Sequence, residues 1–424
     1  MKKGLLRIVS LLFLTVLLVA CNDKKDKHEY FPPRADDRVY FVYMAASANN
    51  IRPFSEVNIA DMKKAATKNN IGDGRIFVFY DQGNGKNTQM LEIKAGPDGN
   101  GMIEYLEDYG EDLDTGDPQT LIFALERMRY HAEQYGHVVD SYILDMWSHG
   151  DSWELHSQTT NADMGISLMS VAADDGSYLE LEEFANAIEE FSNESDISFD
   201  AVIFAQCYGA SIEMLYLLRN STDIVIGSAP EMPMYGMPYH KVLPAIFAPT
   251  FDYEGVVDGY CSFYDNYPLN DEYQQGIWWR KSGTLAAFDC NAFTDEFVAT
   301  MRNIYASDAY REALENFSAA SLASSGGEMG VQTYSWTTPY KYFDVGDFVN
   351  KIEDLSPDLR AAFWEGMNDI VLCKRTGGKI FYDYMVIDPN RFTGMSTYIM
   401  LDTDRYITKN YQYKNTAWYK AVYL

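Results

Sequence analysis

Positively charged side chains are scarce in this chain of 424 residues. Lys and Arg together number 34 against 62 Asp and Glu, so the formal net charge is −28 at neutral pH. A surface this acidic repels nucleic acids and anionic membrane surfaces, and we therefore exclude nucleic acid as a partner. The scarcity is complete between residues 130 and 218, where the sequence contains neither Lys nor Arg.

Long apolar runs are also lacking, and this limits how the N-terminus can be interpreted. A transmembrane helix needs about 20 apolar residues. The apolar core near the N-terminus, residues 11–18, is shorter than that and follows a basic start. It runs into residues 18–21, Leu-Val-Ala-Cys, which is typical of a lipoprotein signal with its small residue before the cysteine.

This N-terminal pattern predicts where the protein resides. We expect residues 1–20 to be a signal peptide, Cys21 to be acylated after cleavage, and residues 21–36 to form a tether. The mature protein would then be bacterial, extracytoplasmic and attached to a membrane only through its lipid. The periplasm and the cell surface both stay open, and an ordinary secretory signal with a chance cysteine is the alternative.

Cysteine is rare as well, with five residues in the chain. Besides Cys21 they are Cys207, Cys261, Cys290 and Cys373. Outside the cytosol four cysteines can form two disulfides, but these four are widely spaced and no motif pairs them. If Cys207 is a free reactive thiol, the others are buried thiols, or one disulfide and one thiol.

Apolar residues, by contrast, are plentiful, at 47% of the chain with 15% aromatic residues. Up to about residue 250, apolar strand-like runs alternate with helical ones, which is typical of βαβ units and a mostly parallel sheet. We expect an α/β domain over residues 37–250 with helices on both faces of its sheet. Beyond it the pattern changes, which indicates a mixed α/β subdomain, residues 251–424, packed on the first.

Two of the predicted core strands each end in a reactive residue. Residues 141–147 lead into His149, and residues 199–205 lead into Cys207. Because the carboxyl ends of parallel strands meet at one edge of a sheet, we expect both side chains at that edge, where sites are commonly built. An imidazole beside a thiol is the minimal equipment for nucleophilic catalysis.

The neighbouring residues predict further roles. A helix starting near Gly209 would direct its positive end at the sulfur and favour the thiolate, and Gly209 itself permits a sharp turn. The main-chain N–H groups of Cys207 and Gly150 would form an oxyanion hole. The missing side chain of Gly150 would let a peptide approach closely, and His149 would protonate the leaving amine.

Plainer interpretations of the same residues stay open. A buried cysteine on an apolar strand is commonly a small hydrophobic residue, and a single His-Gly pair is weak evidence of catalysis. The rival histidines do not follow a strand in the way that His149 does. They are His131, His137, His156 and His240.

Several blocks in the right order carry a family resemblance. They are residues 43–51, 148–153, 199–207, 228–239, 344–348 and 394–398. Over these blocks the chain resembles the clostripain-like cysteine peptidases, relatives of caspases, legumain and gingipain. The resemblance implies a caspase-like α/β sandwich with His149 and Cys207 as the catalytic dyad, and substrate-binding positions at Ala205, Trp153 and Glu231.

One departure from the family concerns specificity. The family carries an acidic residue two positions before the cysteine, in the pocket for a substrate Arg or Lys, and this chain has Ala205 there. A methyl group cannot pair with a buried guanidinium, and an unpaired buried charge is costly. Glu231 is a candidate substitute, and an ordinary loop carboxylate is the alternative. We expect a specificity that is not strictly for Arg or Lys.

The resemblance bears on activation and cofactors too. Family members are often activated by cleavage after a basic residue between the catalytic strands, but that segment has none here. Three explanations of this absence stay open: the enzyme has a changed specificity, another protease cuts the segment, or the enzyme is active without cleavage. The sequence requires no cofactor, and calcium is a candidate by resemblance at residues 173–182. Aligning Gly176 with the glycine of an EF-hand loop puts Val171 and Ala173 at ligand positions, so a turn before an acidic helix start is the alternative.

The sequence therefore supports two functions from different classes. The first is an extracytoplasmic cysteine endopeptidase that hydrolyses proteins or peptides with Cys207 as nucleophile. The alternative is a catalytically silent binding lipoprotein on a peptidase scaffold, which the change at Ala205 motivates.

Overall fold

The computed structural model describes residues 34–47, 49–134, 139–154, 170–174, 176–319, 330–335, 339–381 and 385–424. These residues belong to one compact unit. The predicted signal peptide, Cys21 and most of the tether lie outside them, as do His137 and His156. Within the described ranges, no helix is both long enough and apolar enough to cross a membrane.

The described strands and helices alternate along the first half of the chain. The strands are β1 (Arg38–Ala45), β2 (Arg75–Asp81), β3 (Gln89–Ala95), β4 (Gly101–Asp108), β5 (Ser141–Trp147), β6 (Ala172–Asp174), β7 (Ser177–Leu179), β8 (Phe199–Ala205), β9 (Thr222–Gly227), β10 (Thr284–Asp289), β11 (Phe343–Asp344), β12 (Val371–Thr376), β13 (Lys379–Ile380), β14 (Met385–Val386) and β15 (Ser396–Thr397). The helices are α1 (Arg52–Ala65), α2 (Lys68–Ile71), α3 (Pro118–Glu133), α4 (Leu181–Ser195), α5 (Ile212–Leu218), α6 (Tyr239–Ile246), α7 (Tyr253–Asp265), α8 (Gly276–Trp279), α9 (Asp295–Ala306), α10 (Asp308–Ala319), α11 (Val345–Asn350), α12 (Pro357–Ile370), α13 (Ile407–Tyr413) and α14 (Ala417–Tyr423).

A nine-stranded sheet organises the fold. Its order is β12-β10-β9-β8-β5-β1-β2-β3-β4. The five central strands from β9 to β2 are parallel, and antiparallel pairs extend the sheet at both edges. The predicted α/β class with a mostly parallel sheet is confirmed. Because β5 and β8 are neighbours in this order, their carboxyl ends lie side by side.

Most residues of the central strands are apolar because both faces of the sheet are covered, and Asp145 on β5 is a buried exception. On β1, Phe41 and Tyr43 enter the core on one face, and Val42 and Met44 enter the core on the other. Side chains from α3 and α4 fill the first core, and side chains from α1, α6 and α7 fill the second. We call these the first and second cores below.

Residues beyond 250 contribute directly to the same sheet. Strand β10 pairs antiparallel with β9, and β12 pairs with β10, so the sheet crosses the boundary at which the sequence predicts a second subdomain. In the same part of the chain, strand β15 is limited to Ser396–Thr397. One reason is local, because the N–H of Tyr398 donates to the buried carboxylate of Glu213 at 3.2 Å.

The four cysteines that the structure describes are all free thiols. Cys261 and Cys290 are buried, whereas Cys207 and Cys373 are partly exposed. Of the pairings left open by the sequence, the structure therefore has buried or half-buried thiols and no disulfide among these four residues.

Candidate active site

The loops that follow β5 and β8 are in close contact. The two strands run parallel in register, with Trp147 opposite Ala205. Just beyond, a Cβ atom at Gly150 would collide with the carbonyl oxygen of Cys207 and lie 2.9 Å from Cγ of Gln206. The glycine is therefore needed for the approach of the two loops, whereas the sequence assigned its open space to a substrate peptide.

One cavity of about 590 Å³ brings most of the predicted site residues together. Its wall includes His149, Gly150, Ala205, Cys207 and Glu231. An imidazole and a thiol on the wall of one cavity are the two groups that nucleophilic catalysis on a bound substrate requires.

Trp153 is placed differently from the prediction that it binds substrate. It is not among the described residues that line the cavity. Its ring is buried against Tyr398 and Tyr413, with ring centroids 4.6 and 4.9 Å away. The tryptophan belongs to the first core, where it anchors the loop that carries His149.

The turn after β8 differs from the sequence prediction. Helix α5 begins at Ile212, capped by the Ser211 hydroxyl that accepts from the N–H of Met214 at 3.2 Å. The residue with positive φ is Tyr208, at 55°, and not Gly209. Gly209 is instead required for packing, because a Cβ there would lie 2.5 Å from Cβ of Phe204.

The environment of Cys207 favours the neutral thiol. Burial raises the pKa of the Cys207 thiol well above its ordinary value, and the nearby negative charge of Glu231 raises it further. The N–H of Met232 donates to the sulfur at 3.3 Å and opposes this effect. The predicted support from a helix N-terminus is absent, because α5 begins at Ile212, and burial opposes the predicted thiolate.

His149 is likewise held in its neutral form. Burial lowers the pKa of its imidazole to about 4, although the negative charge of Asp151 opposes the shift. Nε2 lies 2.9 Å from Oδ1 of Asn50. Because an amide oxygen only accepts, this hydrogen bond assigns the proton to Nε2 and makes Nδ1 the basic nitrogen.

Asn50 is a partner of His149 that the sequence did not single out. It lies in the short helical turn Asn49–Ile51 after β1, the parallel neighbour of β5. The sequence signal that could have identified Asn50 is its position inside the family-like block 43–51, just after the strand that neighbours β5. Holding Nε2 orients the ring, as the third member of a catalytic triad does.

Replacing Asn50 should therefore affect the histidine and not the fold. We expect Asn50→Ala to lower kcat about tenfold with little change in KM, because the ring loses its orientation. Asn50→Asp would restore an acceptor and add a negative charge that stabilises the imidazolium, so the pKa of His149 rises and the acid limb of the pH–rate profile moves up. Equal acid limbs in the two variants would contradict this role.

A polar cluster built on two stacked tyrosines forms one side of the site. Tyr208 and Tyr342 stack with centroids 3.9 Å apart. The Tyr208 hydroxyl donates to Glu231 at 2.8 Å, and the Tyr342 hydroxyl donates to Asp151 at 2.8 Å. Lys341 lies 3.4 Å from the same Asp151 carboxylate. Sequence reasoning missed this cluster because its two halves lie far apart in the chain.

The two rival histidines that the structure describes have other partners. Nε2 of His131 lies 2.8 Å from Glu107, and Nδ1 of His240 lies 2.9 Å from Asp61. Neither histidine lines the cavity of Cys207 within the described part of the chain.

The segment considered for calcium forms a small hairpin of β6 and β7. Asp174 accepts from the N–H of Thr115 at 2.9 Å, which engages its carboxylate, and Asp175 lies outside the described residues. Among the residues that the structure describes, no group of three or more His, Cys, Asp or Glu side chains is arranged to hold a metal ion. Calcium binding at this segment stays a prediction.

A protein-family profile matches most of the chain. The profile of the Clostripain family, Peptidase_C11, matches residues 42–423. No curated protein matches the chain.

Solved structures share the fold. An inactive zymogen of a C11 protease from Parabacteroides distasonis is 21% identical, with a TM-score of 0.71 over 93% of this chain and 100% of that one. A secreted C11 cysteine protease from Bacteroides thetaiotaomicron, in complex with an irreversible peptide inhibitor, is 20% identical with a TM-score of 0.71 over 91% and 98%. A second structure of a secreted C11 cysteine protease from that organism, iotapain, is 24% identical with a TM-score of 0.69 over the same shares.

Proposed function

The chain belongs to the clostripain family of cysteine peptidases, and on that premise we propose that it is an extracytoplasmic endopeptidase with His149 and Cys207 as its catalytic dyad. The observation that carries the proposal is that both residues line one cavity and follow the ends of neighbouring parallel strands. Family membership also favours this function over the silent binding protein.

Burial favours a neutral thiol at Cys207 and a neutral imidazole at His149, and this sets the first step that we propose. As the sulfur of Cys207 attacks the substrate carbonyl, Nδ1 of His149 takes the thiol proton as a general base. The carbonyl oxygen becomes an oxyanion, and the N–H groups of Gly150 and Cys207 are the donors we assign to it. The imidazolium stabilises this charge as it forms.

The proton then leaves His149 with the amine product. The imidazolium protonates the leaving nitrogen, the C–N bond breaks, and a thioester remains on Cys207. A water molecule, deprotonated by His149, attacks the thioester and releases the carboxylic acid product and the thiol. Asn50 is a positioning residue throughout, because it holds Nε2.

Peptides and proteins are the substrates we propose. A related structure with a peptide inhibitor supports this choice, and so does the cavity, which is large enough for a substrate side chain and the backbone around it. The proposal includes a specificity that is not strictly for Arg or Lys, because Ala205 stands on the cavity wall.

A peptide mixture tests the proposed activity. Purified protein under reducing conditions should cut peptides at internal bonds, and mass spectrometry of the products identifies each bond. If a folded, reduced sample leaves every peptide of a large mixture intact, the endopeptidase proposal fails.

The extracytoplasmic location and lipid anchor rest on the N-terminal sequence. The description of a relative as secreted supports export. We expect Cys21→Ser to abolish incorporation of labelled fatty acid and to release the protein from the membrane fraction, while peptide cleavage by the released protein is unchanged. Fatty-acid labelling that persists in Cys21→Ser would contradict anchoring at this cysteine.

A further inference from the structure

We propose that the part of the cavity beside Ala205 binds a large apolar side chain of the substrate, at the residue before the scissile bond, and rejects Arg and Lys. This inference rests on the proposed function, because the substrate position is defined relative to Cys207. It goes beyond the loss of a strict basic specificity, because it names the chemical class that is accepted.

The wall beside Ala205 is built from the second core. Ala205, Trp147, Met232 and Trp279 are buried members of that core, and all four line the cavity. The polar atom of Trp147 is engaged, because its indole N–H donates to Asn58 at 2.6 Å. These side chains present hydrocarbon and aromatic surface to a ligand.

Half-buried side chains extend the same apolar surface towards solvent. Trp278, Met234 and Phe381 pack against the second core and also line the cavity. Aromatic rings of this kind bind aromatic and large aliphatic side chains over a wide contact area. Gln275 also lines the cavity; its amide is uncharged and cannot neutralise a substrate cation.

The charged residues on the described cavity wall already have partners. They are Glu231, Asp151 and Lys341. Both carboxylates accept from hydroxyls of the tyrosine stack, which packs on the first core. Lys341 pairs with Asp151 at 3.4 Å and also with Glu154.

The wall beside Ala205 therefore binds charged and apolar side chains differently. A guanidinium or ammonium group placed against the second core would lose its hydration. Among the described residues, that wall offers no carboxylate to pair with it, and an unpaired buried charge is strongly disfavoured. Glu231 and Asp151 also line the cavity, but their carboxylates already accept hydrogen bonds from the tyrosine stack. Burial of an apolar side chain there lowers the free energy by an amount that grows with the buried apolar area.

Fluorogenic peptides that differ only at the residue before the cleaved bond test the inference. With Phe, Leu, Met, Ala, Lys and Arg at that position, kcat/KM for Phe, Leu and Met should exceed that for Lys and Arg by about 100-fold or more. Equal or higher kcat/KM for Lys and Arg, or no preference among the six, overturns the inference and leaves the proposed activity standing.

Two variants test whether the named wall sets the preference. Trp278→Ala should lower the ratio of kcat/KM for Phe over Ala substrates about tenfold, whereas Tyr411→Ala, which removes an exposed aromatic ring outside the cavity, should not change it. Ala205→Asp should raise relative activity on Arg, and Ala205→Asn, of the same size without charge, should not. An unchanged ratio in Trp278→Ala overturns the assignment of this wall even if Ala205→Asp fails to fold.

A binding measurement separates this inference from the proposed activity. The inactive variant Cys207→Ala is titrated with two peptides that differ only by Phe or Arg at the tested position, and tryptophan fluorescence reports binding. Tighter binding of the Phe peptide supports the apolar wall, and tighter or equal binding of the Arg peptide overturns it. Absence of cleavage by the wild-type protein rejects the proposed function alone.

Discussion

Replacement of Cys207 by alanine should remove peptide hydrolysis almost completely, with a loss of about 10⁴-fold or more in kcat. The expected loss is this large because the sulfur is the attacking atom, and deleting the nucleophile of a dyad leaves only binding and the oxyanion donors to act. Hydrolysis of a fluorogenic peptide, followed over hours, measures it.

The fold should survive this change. The Cys207 side chain is half-buried and loses one heavy atom, so the melting temperature should move by only a few degrees. Cys373→Ala is the matched control, because Cys373 is a half-buried free thiol on the edge strand β12 and does not line the cavity. It should keep wild-type activity. Cleavage retained by pure Cys207→Ala protein would reject the proposed nucleophile.

Replacement of His149 by alanine should lower kcat by about 10³- to 10⁴-fold. Because the thiol of Cys207 is neutral at rest, attack requires a base to take its proton, and the leaving amine requires an acid to supply one. A dyad that rested as a preformed thiolate would lose less at the first step. His240→Ala, which removes an imidazole paired with Asp61 outside this cavity, should keep full activity.

The pH dependence gives the same histidine a second readout. Its pKa is lowered to about 4 by burial, so the imidazole stays a base down to that pH and protonates below it. The acid limb of kcat/KM should therefore lie near pH 4, well below the ordinary histidine value of about 6.5. An acid limb near 6.5 would show that the ring is charged over a range where this site keeps it neutral.

The strands that position the dyad could be predicted from the sequence because they are short, mostly apolar segments. Strand β8 was predicted over residues 199–205 and observed there, since a short run buried on both faces is continuously apolar. Two such strands in a parallel sheet place His149 and Cys207 at the same edge of that sheet.

What the sequence could not predict depends on contacts between distant residues. Tyr342 stacks on Tyr208 although the two are separated by much of the chain, and no local pattern marks either ring. The raised pKa of Cys207 arises from burial and from Glu231, and both exist only once the loops are folded. The family resemblance implied a substrate contact at Trp153, but its ring is buried in the first core.

The most direct test of the dyad is covalent capture by a peptide that carries an electrophilic ketone in place of the scissile bond. Under reducing conditions, peptide mapping by mass spectrometry should find one label on each wild-type chain, at Cys207. Labelling should be lost in Cys207→Ala and slowed by orders of magnitude in His149→Ala, with Cys373 unlabelled throughout. A folded wild-type chain that labels at another residue, or that labels at Cys207 equally fast without His149, would contradict the account.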